Sequence, residues 1–174
     1  MAGSLLTPVQ QRGREALERL GLPTRREESW RLTDLGRLQR IADLPIASGA
    51  VHPGELPPAA SGVLRLVLDG VADPLADVTL PSGLSVLEPI ELEQALGHTL
   101  DRCGCADAWP VELNHASCHQ VLALRGRGEL PPLELVICGG TGLSTTRVLL
   151  LLEESANLDL FQVVLGTGAS AHSH

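Results

Sequence analysis

Thiolate and imidazole side chains are the groups in this chain best suited to metal chemistry, and most of them lie between positions 103 and 138. Cys103 and Cys105 are one residue apart, Cys118 is followed by His119, and Cys138 stands alone. Such side chains bind zinc and iron–sulfur clusters. Structural zinc sites, however, have more closely paired spacings than this one. We therefore predict a buried strand residue at Cys138 and a loop at Cys103 and Cys105, with no metal bound.

Two further patterns resemble ligand sites without completing one. His172 and His174 would lie on the same side of a strand, but two ligands alone do not define a metal site. Residues 139–142 and 166–168 are rich in glycine, yet neither segment has the third glycine of GxGxxG or a following helix. Both segments are predicted to be turns between strands. No catalytic, cofactor-binding or metal-ligating residue is predicted.

Arginine supplies all thirteen basic residues of the chain. Without lysine, the chain can form neither a Walker A phosphate loop nor a Schiff base with pyridoxal phosphate. The charge is uneven, because residues 1–40 carry eight arginines and five acidic residues, whereas residues 41–174 carry five arginines and sixteen acidic residues. The formal net charge of −8 argues against nucleic acid as the main partner.

Length and hydropathy indicate a globular chain. Its 174 residues are 44% apolar, which is enough for one domain or two small ones with an aliphatic core. No apolar run reaches the roughly 18 residues needed to span a bilayer, and the N-terminal segment is too polar for a signal peptide. We expect a cytoplasmic protein with reduced thiols and no membrane partner.

Helix signals dominate the first 40 residues. Thr7 as N-cap, Pro8 at the first helical position and Gly21 as a stop signal predict a helix over residues 8–20. Thr24 and Glu27 have the spacing of a capping box.

An arginine cluster surrounds Trp30. It could contact an acidic partner or nucleic acid, but a solvated, salt-bridged helix start anchored by Trp30 is the favoured interpretation. The arginines concerned are Arg25, Arg26 and Arg31.

Strand signals dominate the second half. Proline and glycine interruptions over residues 42–62 predict a linker, and Asp69-Gly70 predicts a turn after a strand. The short strands that follow are not separated by long helices, which favours a β-solenoid over a sandwich or barrel. The predicted strands are 63–68, 84–87, 121–125, 133–137, 147–153 and 158–165, and the predicted helices of this half are 89–100 and 109–119.

These elements predict a mainly β fold with an N-terminal helical and small α/β region, followed by the start of a right-handed parallel β-helix. The expected organisation is a helical segment over residues 1–45, a linker and small α/β region over 46–118, and the first β-helix coils over 119–174. Because repeat-like sequence continues to His174, we expect the chain to be a fragment whose open end favours self-association.

Residues 21–35, GLPTRREESWRLTDL, resemble the N-terminal signature of the SufB/SufD family of the SUF iron–sulfur cluster assembly system. In that family a PTR(R/K)EE-W-(R/K)-T-x-L string follows the first helix. The resemblance extends to Leu113-Asn114, similar to the family's LN motif, and to residues 80–83, 132–135 and 147–162. Leu32 departs from it, since an aromatic residue is usual there, and Cys103, Cys105 and Cys118 match no family motif.

The resemblance implies a non-catalytic scaffold subunit that pairs with SufB-like and SufC-like subunits, with a homodimer as a further option. It implies the right-handed β-helix given above and no cofactor in this chain, the iron–sulfur cluster being handled by the complex. The family's cluster-related histidine would lie beyond residue 174. The alternative is a β-helix carbohydrate-active enzyme or adhesion module, which the scarcity of aromatic residues does not favour.

Overall fold

A computed structural model describes residues 2–46, 56–70, 72–96, 102, 104–105, 107–166 and 170–173. Cys103, His174, the central part of the predicted linker and the end of the helix predicted at 89–100 lie outside these residues.

Four α-helices are described: α1 (Ala2–Leu20), α2 (Leu35–Ala42), α3 (Pro89–Ala95) and α4 (Trp109–Ser117). A single 3-10 turn, Glu28–Trp30, lies between α1 and α2. Within the described residues, no helix is both long enough and apolar enough to cross a membrane.

Local signals placed the end of α1 and the starts of α3 and α4 correctly, but not the start of α1. The predicted beginning at Pro8 is wrong, because α1 begins at Ala2 and contains Pro8 in its interior. The predicted stop is confirmed: Gly21 has a φ of 65°, and its amide donates to the carbonyl of Leu17 at 2.9 Å. The Asp34 side chain caps α2 by accepting from the Arg37 amide at 3.1 Å.

Within the described residues, seven strands form two small sheets. The three-stranded sheet has the order β1 (Leu64–Leu68), β4 (Leu133–Gly139) and β6 (Leu160–Gly166), and all its pairs are parallel. The four-stranded sheet has the order β2, β3, β5 and β7; its pairs are parallel except for antiparallel β2 and β3. Its strands are β2 (Leu84–Val86), β3 (Gln120–Gly126), β5 (Gly142–Leu152) and β7 (Ser170–Ser173).

The main core lies where β1, β3 and β4 meet. Alternate residues of each strand point inward, as the two-residue period of a strand requires. The cluster is wholly aliphatic, in agreement with the composition. Its buried members are Leu66, Leu68, Leu122, Leu124, Leu133, Leu135 and Ile137.

The predicted fold class is wrong. The chain is a mixed α/β structure in which helices occupy about as many of the described residues as strands do. The sheets are small and open, and antiparallel β2 joins one of them, so the chain does not form the coils of a parallel β-helix. The short strands were identified correctly, but strand spacing alone does not reveal how many strands a sheet contains or which helices cover it. The fold therefore supports neither the β-helix implied by the family resemblance nor the β-helix enzyme.

Contacts between distant segments organise the molecule. Helix α1 packs along α4, and strand β1 pairs with β4 across 69 residues of sequence. Gly13 lies at a close contact between α1 and α4, since a Cβ there would be 2.5 Å from the Ala116 amide nitrogen. Only glycine permits this approach without displacing backbone.

Candidate functional site

Polar side chains are concentrated between α4 and β5, in a region that would otherwise be apolar core. We call this set the polar junction. It brings together four residues of α4 and three of β5, all but one of which are buried; Arg147 is half-buried. The members are Glu112, Asn114, His115, Ser117, Thr145, Thr146 and Arg147.

Asn114 joins the helix to the strand. Its Oδ1 accepts from Nε of Arg147 at 3.0 Å and from Nη2 of Arg147 at 2.6 Å. Its Nδ2 donates to the main-chain carbonyl of Thr146 at 3.0 Å. Burial lowers the pKa of Arg147, and the carboxylate of Glu112 and the thiol of Cys118 oppose that shift. Asn114 thus bonds both to the backbone of β5 and to Arg147, the only basic side chain of that strand.

His115 and Glu112 form a buried pair one turn apart on α4. Nδ1 of His115 lies 3.0 Å from Oε2 of Glu112, and His115 is 1% exposed. Burial lowers the pKa of His115, and the hydrogen bond to Glu112 partly opposes this. The ring is therefore neutral near pH 7.

The other ring nitrogen, Nε2 of His115, is buried and has no hydrogen-bond partner among the described residues. A catalytic histidine needs a substrate or nucleophile within hydrogen-bond reach. The nearby hydroxyl of Ser117 instead bonds to the Leu113 carbonyl at 2.6 Å and to Oγ1 of Thr145 at 3.1 Å. The described hydrogen bonds of Asn114 and Ser117 therefore position α4 on β5.

Among the described residues, the structure does not bring the cysteine and histidine candidates together. Cys118 is buried after α4 and its thiol donates to the Gln120 carbonyl at 3.1 Å, while the neighbouring His119 is exposed. Cys138 is a buried residue of β4, as predicted. Burial raises the pKa of both Cys118 and Cys138. The part of the chain that the structure describes contains no group of three or more metal-ligating side chains.

The remaining candidates occupy turns and surfaces. Residues 139–142 make the predicted tight turn, here between β4 and β5, and Gly142 has a φ of 106°. Glu153 follows β5, where its carboxylate accepts from Arg125 at 2.8 Å and from Arg127 at 2.9 Å. These two hydrogen bonds lower the pKa of Glu153. Residues 167–169 lie outside the described residues, and of His172 the structure gives only the backbone, in β7.

The signature-like segment 21–35 anchors the first helix to the rest of the molecule. Trp30 packs with Trp109, Leu113 and Leu143 in a second apolar cluster. The arginines around it face solvent, and Arg31 pairs with Glu28 at 3.3 Å. This agrees with the interpretation of Trp30 as an anchor within a solvated, charged surface.

The outer strand of the three-stranded sheet exposes apolar side chains. Leu160, Phe161 and Val164 of β6 are 48%, 54% and 46% exposed. The strand contains no charged residue. On its outer edge, no further strand is present among the described residues. Edge strands of this kind favour association unless they are covered.

The sequence identified Leu113-Asn114 as motif-like and residues 147–153 as a strand. It did not reveal that Asn114 contacts Arg147 of that strand. It also missed His115 and Glu112 altogether. The signal that could have revealed them is the sequence of α4, WPVELNHAS, which has polar residues on every face of the helix. Any face that packs on the protein must therefore bury polar side chains, and these need hydrogen-bond partners.

Fold and site together define a mixed α/β protein whose helices are joined to a small sheet by a buried polar junction. No family model matches the chain, and neither curated sequences nor solved structures show a significant similarity to it.

Proposed function

We propose that this chain is a SufD-like, non-catalytic scaffold subunit of a SUF-type iron–sulfur cluster assembly complex. In this role it pairs with SufB-like and SufC-like subunits in the cytoplasm. The SufC-like partner supplies ATP hydrolysis, because this lysine-free chain has no Walker A loop.

Contacts between the stretches that resemble the family are the first support. The signature-like segment 21–35 places Trp30 against Trp109 and Leu113, so it contacts the helix that carries the LN-like motif. The asparagine of that motif in turn binds Arg147, the first residue of segment 147–162, which also resembles the family. Three of the stretches that resemble the family therefore contact one another in sequence.

The observation that carries the scaffold role is the uncharged, apolar strand β6. A partner strand added at its outer edge would satisfy free backbone groups. The same partner would bury the exposed parts of Leu160, Phe161 and Val164. Main-chain pairing with apolar burial is how sheet edges commonly recruit protein partners.

The test is co-purification of the full-length gene product with SufB-like and SufC-like subunits expressed in the same cell. We expect a stable complex with the natural chain. A Phe161→Asp/Val164→Asp variant should recover at least tenfold less partner, because it places two charges on the proposed interface.

Leu32→Asp is the matched control, since Leu32 is 93% exposed and lies outside β6. It should retain the partners at the natural level. Urea unfolding of both variants separates lost pairing from lost folding. Failure of the natural chain to associate with either subunit would overturn the proposal.

A further inference from the structure

A cleft of about 350 Å³ lies between the end of α1, the signature-like segment and the start of α4. Apolar, aromatic and acidic side chains line it. They include Leu20, Pro23, Glu27, Trp30, Asp107 and Trp109.

Both tryptophans of the chain line this one cleft. Trp109 is 7% exposed and belongs to the apolar cluster with Leu113 and Leu143, while Trp30 is half-buried. Indole rings are the aromatic surfaces that bind cations most strongly. In a chain that is only 2% aromatic, their convergence here marks a site that differs from the aliphatic core.

The charges that line the cleft have one sign. Among the described lining residues, Glu27 and Asp107 are the only charged ones. Oε1 of Glu27 accepts from the Thr24 amide at 2.8 Å and from the Thr24 hydroxyl at 3.3 Å. Neither of these bonds uses Oε2 of Glu27. Asp107 pairs through Oδ1 with Arg19, and both side chains remain more than half exposed. Each carboxylate is therefore held in place while still accessible to a ligand.

We propose that the cleft binds a cationic side chain, arginine or lysine, presented by a partner protein. The apolar stem of that side chain would lie on Leu20 and Pro23, its charged head would stack on the indoles, and the carboxylates would accept its hydrogen bonds. An anionic ligand would meet two carboxylates and no lining cation. A purely apolar ligand would cover the exposed parts of those carboxylates without offering them a hydrogen bond. This inference is independent of the assembly function proposed above.

The two tryptophans make the test site-specific, because the chain has only two indole N–H groups to observe. Their resonances in a nitrogen-15 correlation spectrum are followed while N-acetyl-arginine amide is added. N-acetyl-citrulline amide is the control ligand, since it has nearly the same shape without the charge. We expect saturable shifts of both indole signals with the arginine compound, at millimolar concentrations, and at least tenfold weaker binding of the citrulline compound.

Variants of the two carboxylates then test whether their charge is needed for binding. Glu27→Gln/Asp107→Asn should weaken binding of the arginine compound at least tenfold. The matched control is Glu28→Gln, which changes a neighbouring exposed carboxylate that does not line the cleft, and it should bind as the natural chain does. If the double variant does not fold, the charge dependence is read on the natural chain from the citrulline comparison. Absence of saturable indole shifts, equal shifts with citrulline, or an equal loss in Glu28→Gln would each overturn the inference.

Discussion

Asn114 Oδ1 accepts two hydrogen bonds from the guanidinium of Arg147, at 3.0 Å and 2.6 Å, across 33 residues of sequence. The same asparagine also donates to the backbone of β5. The contact therefore joins α4, on which α1 packs, to the four-stranded sheet.

Asn114→Ala should lower the free energy of unfolding by about 2 kcal/mol, because it leaves a partly buried guanidinium without its acceptor. Urea denaturation measures this. Replacing both partners, in Asn114→Ala/Arg147→Met, should cost less than the sum of the single changes. Arg37→Ala is the control, since Arg37 forms only an exposed pair with Asp34, and it should change stability by less than about 0.5 kcal/mol. Strict additivity of the two single changes would show that the bond contributes nothing specific.

Gly13→Ala should destabilise the protein by about 3 kcal/mol. The new Cβ would lie 2.5 Å from the Ala116 nitrogen and 2.9 Å from the Glu112 carbonyl oxygen, and backbone atoms cannot move aside without separating α1 from α4. Gly36→Ala is the matched control, because its Cβ would meet nothing closer than 3.4 Å within α2. Higher helix propensity should make that variant neutral or up to about 1 kcal/mol more stable. Thermal unfolding compares the two, and similar behaviour would contradict the tight crossing.

His115 should make stability depend on pH in the weakly acidic range. Burial lowers its folded pKa below the ordinary 6.5, with Arg147 and Arg12 also opposing protonation and Glu112 favouring it. The unfolded chain then binds the proton more readily than the folded one. Stability should therefore be insensitive to this group above about pH 6.5 and should fall as the pH decreases below it.

The measurement is the free energy of unfolding at pH 7.5 and pH 5.5 for the natural chain and for His115→Gln. Glutamine retains a donor for Glu112 but does not titrate. The natural chain should lose more stability between these two pH values than the variant does. Equal losses would assign the pH dependence to other groups.

Cys118 and Cys138 should resist alkylation in the folded protein. Each is 1% exposed, and burial raises the pKa of each thiol, so the reactive thiolate is scarce as well as inaccessible. Iodoacetamide labelling at pH 8 followed by peptide mass spectrometry should find both unmodified in native buffer and both modified in urea. Rapid native labelling of either would contradict its placement in the core.

Local sequence signals predicted local structure well. The Gly21 stop and strands β1, β3 and β4 follow from φ preferences and two-residue periodicity, both of which act between near neighbours. The start of α1 was missed because proline is common in the first turn of a helix and disfavoured in its interior, whereas α1 contains Pro8 in its interior. The β-helix prediction failed for a different reason, since parallel pairing and sheet size depend on contacts between residues far apart in sequence.

The sequence by itself determined the composition of the core, the absence of lysine chemistry and the positions of most strands, because these depend on residue type and short-range pattern. Only the tertiary structure decided that Asn114 meets Arg147, that His115 is buried beside Glu112, and that Trp30 and Trp109 line one cleft with Glu27 and Asp107. These contacts depend on how α1 crosses α4 and how α4 lies on β5. That packing is a collective result of long-range burial, which no local pattern encodes.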